Sequence, residues 1–92
     1  MRKIVVLPSF ERSVRRLAPQ DKRKLALSLE AFNDFVCSGE FPHGLGFKKI
    51  NHDKFEFRVD IRLRVLVKAE GESFYLVFVG SHDDIKRYLR RV

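Results

Sequence analysis

Apolar residues recur along this chain at changing intervals, and the intervals predict its elements. Residues 3–7, KIVVL, are short and β-branched and run into Pro8-Ser9, which predicts a strand followed by a helix N-cap. Phe10, Val14 and Leu17 then recur at spacings of four and three, the stripe of a first helix. Ala18-Pro19 interrupts the stripe, and Pro19 suits the first turn of a second helix, where its missing N–H costs nothing. Leu25, Leu29, Phe32 and Val36 mark the buried face of that helix, which Ser38-Gly39 ends before the turn-rich EFPHGLG.

The pattern then changes period. Phe55 to Asp60, Leu63 to Lys68 and Phe74 to Gly80 read as three strands, with Glu70-Gly71-Glu72 as a hairpin turn between the last two. A short helix follows, starting at about His82 to Asp84 with Ser81 placed to cap it. The predicted fold is α+β: an N-terminal strand, a two-helix hairpin, a three-stranded antiparallel meander completing a four-stranded sheet, and a short C-terminal helix. The helices are expected on one face of the sheet, leaving the other partly open to solvent.

Length supports one domain, residues 1–92, around one core. Nineteen Lys plus Arg against twelve Asp plus Glu leave +7, spread through the chain and not gathered in a tail. Such a surface favours polyanionic partners. Cys37 is the only cysteine, so neither an internal disulfide nor a multi-cysteine zinc site is expected, and the compartment expected is the cytoplasm. The start, MRKIVVLPSF, is too short in apolar residues for a signal-peptide core or a membrane span.

In KFEFRVDIRLRVLVK, Phe55, Phe57 and Val59 alternate with Glu56, Arg58 and Asp60, so one sheet face is apolar and the other charged. Arg58 and Arg64 can project from neighbouring strands onto the charged face, where two guanidiniums could clamp a phosphate or pair with Glu56 and Asp60. Lys48, Lys49, Lys54 and Arg62 add positive charge around that face. His82 is either a reacting group or a helix-terminal residue, and Tyr88 either reaches the sheet or packs its ring. His43 and His52 show no metal-ligand spacing with it. There is no Gly-rich phosphate loop, GxSxG, HExxH or RNP motif. An enzyme of this sequence is expected to need no cofactor or metal, and RNA cleavage fits because the 2′-hydroxyl is an internal nucleophile.

SFERSVRRL in the first helix, LGFKKI before the sheet, the RV…RVLV strand pair, and VGSH followed by a tyrosine together resemble the RelE/ParE superfamily of bacterial toxin–antitoxin toxins. The resemblance spans nearly the whole chain. It implies a ribosome-dependent endoribonuclease that cuts mRNA and is neutralised by an adjacently encoded antitoxin. It also implies roles: Arg64 on the scissile phosphate, Arg58 at a basic position of the preceding strand, Lys48 and Lys49 in the basic segment leading into the sheet, His82 as general acid, and Tyr88 in base stacking or in-line geometry. Lys54 and Arg62 are further candidates for binding RNA. Glu56 either acts as the base or only pairs with Arg58. Asp83 and Asp84 either tune His82 or complement the dipole of the last helix. Two other readings share the fold: a DNA gyrase inhibitor of the ParE branch, and a non-catalytic module that binds an antitoxin.

Overall fold

The computed structural model describes residues 3–40 and 45–91. Their elements are β1 (Lys3–Val6), α1 (Pro8–Arg15), α2 (Pro19–Ser38), β2 (Lys48–Asn51), β3 (Lys54–Arg58), β4 (Arg64–Glu70), β5 (Ser73–Gly80) and α3 (His82–Arg90). The described strands form one sheet in the order β1-β5-β4-β3-β2. It is α+β as expected, but five-stranded and mixed, because β1 runs parallel to β5. The extra strand is β2, paired antiparallel to β3. Its sequence, KKIN, carries a single apolar residue, and all four residues are exposed, so no period-2 pattern marks it. Residues 41–44 of the turn-rich connection, His43 among them, lie outside the described residues.

Phe32 organises the core between α2 and the sheet. Its ring is fully buried and stacks on Phe57 of β3 with centroids 4.7 Å apart and planes 16° from parallel. Phe74 of β5 meets it edge-on at 5.5 Å, and Phe47 stacks at 5.8 Å. Val65, Val67, Leu76 and Val79 complete the sheet side, with Phe10 and Leu25 from the helices. The other face is not left open to the degree expected. α3 packs on it, placing Ile85, Tyr88 and Leu89 against Leu66, Tyr75, Val77 and Phe78. A register shift opposite Leu66/Val67 aligns Leu66 with Phe78 but Val67 with Leu76, so Val77 is the extra residue of a bulge. Val77 and Phe78 both consequently belong to the cluster beneath α3.

β1 ends at Val6 opposite Leu76, and beyond that point β5 has no partner strand on this edge among the described residues. Two serines of α1 take over. Ser9 Oγ donates to the Val77 carbonyl at 2.6 Å, and Ser13 Oγ accepts from the Val79 amide at 3.0 Å while donating to the Phe10 carbonyl. Spaced four apart, they lie on one helix face and continue the ladder that β1 stops making. Ser9 is therefore not the N-cap that the sequence suggests. Leu7 holds that position without a side-chain bond, and Pro8 opens the helix. Pro19 opens α2 as expected.

Replacing Ser13 by Ala should cost about 1–3 kcal/mol, because the buried Val79 amide loses its acceptor. Chemical denaturation checks this: the midpoint should fall with the slope unchanged.

Candidate functional site

Strand alternation puts Glu56 on the face of the sheet opposite to Phe57, and the site is built around that carboxylate. Glu56 is 2% exposed. A buried carboxylate needs compensating cations, since leaving water costs several kcal/mol. Two are present on the same oxygen: Lys48 Nζ lies 3.3 Å and Arg64 Nη1 3.4 Å from Glu56 Oε1. They come from the flanking strands, because β2 pairs Lys48 with Glu56 and β4 pairs Leu66 with Glu56. Lys48 is largely solvated and contributes less than its distance suggests, whereas Arg64 is mostly buried and is the stronger anchor.

Between this part of the sheet and α3 lies a concavity of about 250 Å³. Lys48, Lys49, Glu56, His82 and Lys86 supply its polar lining, and Ile50, Ile85 and Leu89 its apolar wall. Four of the residues singled out from sequence thus share one cavity: Lys48, Lys49, Glu56 and His82. Arg64 joins them through Glu56. Arg58 stands opposite Arg64 in the β3–β4 register, exposed and without an ion pair among the described residues. Glu56 pairs with Arg64 and Lys48 and not with Arg58.

Other expected members are placed elsewhere. Arg62 lies in the β3–β4 turn and pairs with Asp21 of α2 at 3.6 Å, away from α3 and its cavity. Lys54 pairs with Asp53 at 2.9 Å and does not line the cavity. Its hydrogen bond holds the Asp53 carboxyl below the usual range. Asp60 belongs to the turn and not to the strand. It accepts from the Arg62 and Leu63 amides, both at 2.8 Å, and pairs with Lys24 at 3.2 Å. Burial raises its pKa, but these backbone bonds and Lys24 outweigh it and leave the carboxyl below its ordinary value. Tyr88 stacks on Phe78 at 5.3 Å and lines a different concavity with Arg16, Asp84, Arg87 and Arg91.

Lys86 is the member that sequence reasoning missed. Its signal was available: it follows His82 by four residues on a helix, which puts both side chains on one face.

α3 is held at its N-terminus by a reciprocal cap. Ser81 Oγ accepts from the Asp84 amide, and Asp84 Oδ2 accepts from the Ser81 amide, each at 3.1 Å. Asp84 also bonds Arg87. The Ser81 bonds, with Arg87, hold its carboxyl below the ordinary range despite partial burial. Asp84 is thus a capping residue that faces away from the His82 cavity, and Asp83 is exposed in the first turn. Gly80 permits the arrangement. A Cβ there would lie 2.8 Å from a Phe78 ring carbon, closer than real contacts allow, and a tight 3.0 Å from Asp84 Cβ. His82 is exposed at the first helical position, facing the cavity.

Ser81→Ala should cost about 1 kcal/mol in thermal or chemical unfolding. Because the folded Asp84 carboxyl lies below its ordinary value of 3.8, its contribution is complete above that pH and is lost as pH falls through the lowered value. Asp84→Asn should remove this part of the acid sensitivity, read from unfolding midpoints across the acid range.

No protein-family model and no curated protein sequence matches the chain. Solved structures do. A chain of the RelB–RelE antitoxin–toxin complex from Methanococcus jannaschii superposes with a TM-score of 0.69 at 15% identity, over 91% of this chain and 96% of that one. The E. coli DinJ–YafQ toxin–antitoxin complex gives 0.66 at 12% identity, over 91% and 96%. The YoeB–YefM complex from Staphylococcus aureus gives 0.63 at 12% identity, over 89% and 98%. At such identities the likeness is one of architecture, and it extends over nearly the full length of each chain: this protein has the RelE-like toxin fold.

Proposed function

We propose that this chain is the toxin of a type II toxin–antitoxin pair, and that it cleaves ribosome-bound mRNA by attack of a 2′-hydroxyl on the adjacent phosphate. The observation that carries this reading is the cavity itself, in which an exposed histidine on a helix faces lysines on an edge strand across a buried carboxylate. The fold shared with toxin–antitoxin structures supports it.

Each residue has a part in that chemistry. Lys48, Lys49 and Arg64, with Arg58 on the adjacent strand, supply positive charge where the phosphorane oxygens gain negative charge, which is the larger part of the catalytic task. The 2′-hydroxyl gives its proton to solvent water as its oxygen bonds phosphorus, and His82 protonates the departing 5′-oxygen as the P–O5′ bond breaks, leaving a 5′-hydroxyl and a 2′,3′-cyclic phosphate. Glu56 acts as a positioning residue, since two cations already hold Oε1 and the side chain is almost wholly buried. Its charge aligns Arg64 and Lys48 before substrate arrives. No cofactor enters this scheme. The cationic face would be masked by an acidic antitoxin segment that folds on binding.

His82→Ala should lower cleavage by roughly 10²–10⁴-fold, the usual share of a general acid, with unfolding stability within about 0.5 kcal/mol because the side chain is exposed. Arg64→Gln should act in the same direction. Mapping 5′-hydroxyl ends on ribosome-bound mRNA in expressing cells is the measurement, and undiminished growth arrest in both variants would sink the assignment. Gyrase inhibition would instead leave mRNA intact and alter DNA supercoiling.

A further inference from the structure

The His82 cavity holds more positive charge than its carboxylate uses. Lys48 and Arg64 already hold Glu56. Lys49 on the strand wall and Lys86 on the helix wall are exposed and make no ion pair among the described residues. Of the three lysines lining the cavity, Lys86 alone comes from α3, the helix that carries His82. Four residues of helix turn about 400° and advance about 6 Å, so Lys86 lies on the same side as His82, one turn further along. Ile85 and Leu89 line the same cavity and pack on the sheet beneath, which fixes the two polar residues relative to the strands.

We infer that Lys86 binds the phosphate immediately 3′ to the scissile one, and so sets the direction in which an RNA strand crosses the cavity. The inference rests on the reading above, in which His82 protonates the leaving 5′-oxygen. In-line displacement places the attacking 2′-oxygen and its nucleotide on the far side of phosphorus from that oxygen. The nucleotide on the His82 side is therefore the downstream one, and its 3′-phosphate is the next anion along the strand. One helical turn, about 6 Å, matches the step between consecutive phosphates of an extended strand. The strand thus runs 5′ to 3′ in the direction of α3. An ammonium on a flexible stem suits this task, since it follows a phosphate without demanding a bidentate geometry. Ile50, Ile85 and Leu89 keep water from one side of the contact, which strengthens it. Because the contact is the same in ground and transition states, it lowers KM and leaves kcat unchanged.

The test is a double-substitution cycle across protein and RNA. Ribosomes are programmed with mRNA in which that one phosphate, located by mapping the 5′-hydroxyl ends, is replaced by an uncharged methylphosphonate. Lys86→Gln should raise KM for native mRNA about fivefold at about 0.1 M salt, the loss of one single-strand phosphate contact. Its kcat should stay within about twofold. Wild-type protein on the methylphosphonate mRNA should lose the same factor. Combined, the two changes should still cost only about fivefold, where independent effects would multiply to about 25-fold. Lys86→Arg should stay within about twofold of wild type on native mRNA. Lys49→Gln removes the same charge from the opposite wall, and its loss should multiply with that of the methylphosphonate. Multiplied losses for Lys86→Gln, or equal coupling of Lys49→Gln, would overturn the assignment while leaving the cleavage reading in place. So would coupling of Lys86 to the phosphate 5′ of the scissile one. Absence of cleavage by the wild-type protein would overturn both. Circular dichroism of each variant verifies that the fold is retained.

Discussion

β3 carries, on consecutive residues, the two buried groups that the rest of the molecule is arranged around. Phe57 is enclosed beneath α2, and Glu56 is enclosed on the opposite face between Lys48 and Arg64. A slip of one residue in the β3 register would put the carboxylate into the aromatic cluster and the ring among cations. Both faces penalise the error, so the hydrophobic effect on one side and charge compensation on the other select the same register. This is how a small domain holds a charged site rigidly: the positioning of Glu56 follows from the burial of its neighbour.

α3 then divides the charged face. Gly80 lets the chain turn tightly behind Phe78, the Ser81–Asp84 cap sets the direction of the helix, and the Val77 bulge presents two adjacent apolar side chains for it to cover. Ile85 and Leu89 settle on that platform. His82 and Lys86 are thereby turned towards β2 and β3, and Tyr88, Arg87 and Arg91 towards the end of α1. One amphipathic helix therefore separates a histidine–lysine cavity from an arginine–aromatic one.

α1 shows the same economy at the sheet edge. β1 is only four residues long, yet β5 is not left with orphaned groups beyond it, because Ser9 and Ser13 serve as an improvised edge. In sequence, Ser9 after Pro8 carries the signature of a cap, and nothing local distinguishes a serine that closes a helix from one that reaches a strand 68 residues away. Arg62 is similar. It alternates with Leu63 like a strand residue, but Asp60 folds that stretch into a turn and Arg62 ends beside Asp21.

The order and type of most elements, the apolar faces of α1 and α2, the alternation of β3 and the capping role of Ser81 were legible in the sequence, because each depends on spacings of a few residues. β2 was not, since KKIN has no apolar alternation and is a strand only because β3 offers it an edge. Nor was the parallel pairing of β1 with β5, which joins the two ends of the chain. The sequence also supplied Lys48, Lys49, Glu56, Arg64 and His82 as candidates of the right chemical types. Which of them share a cavity was decided by tertiary packing alone, because they arrive from separate elements and their separations are set by how α3 and the strands bury their apolar sides.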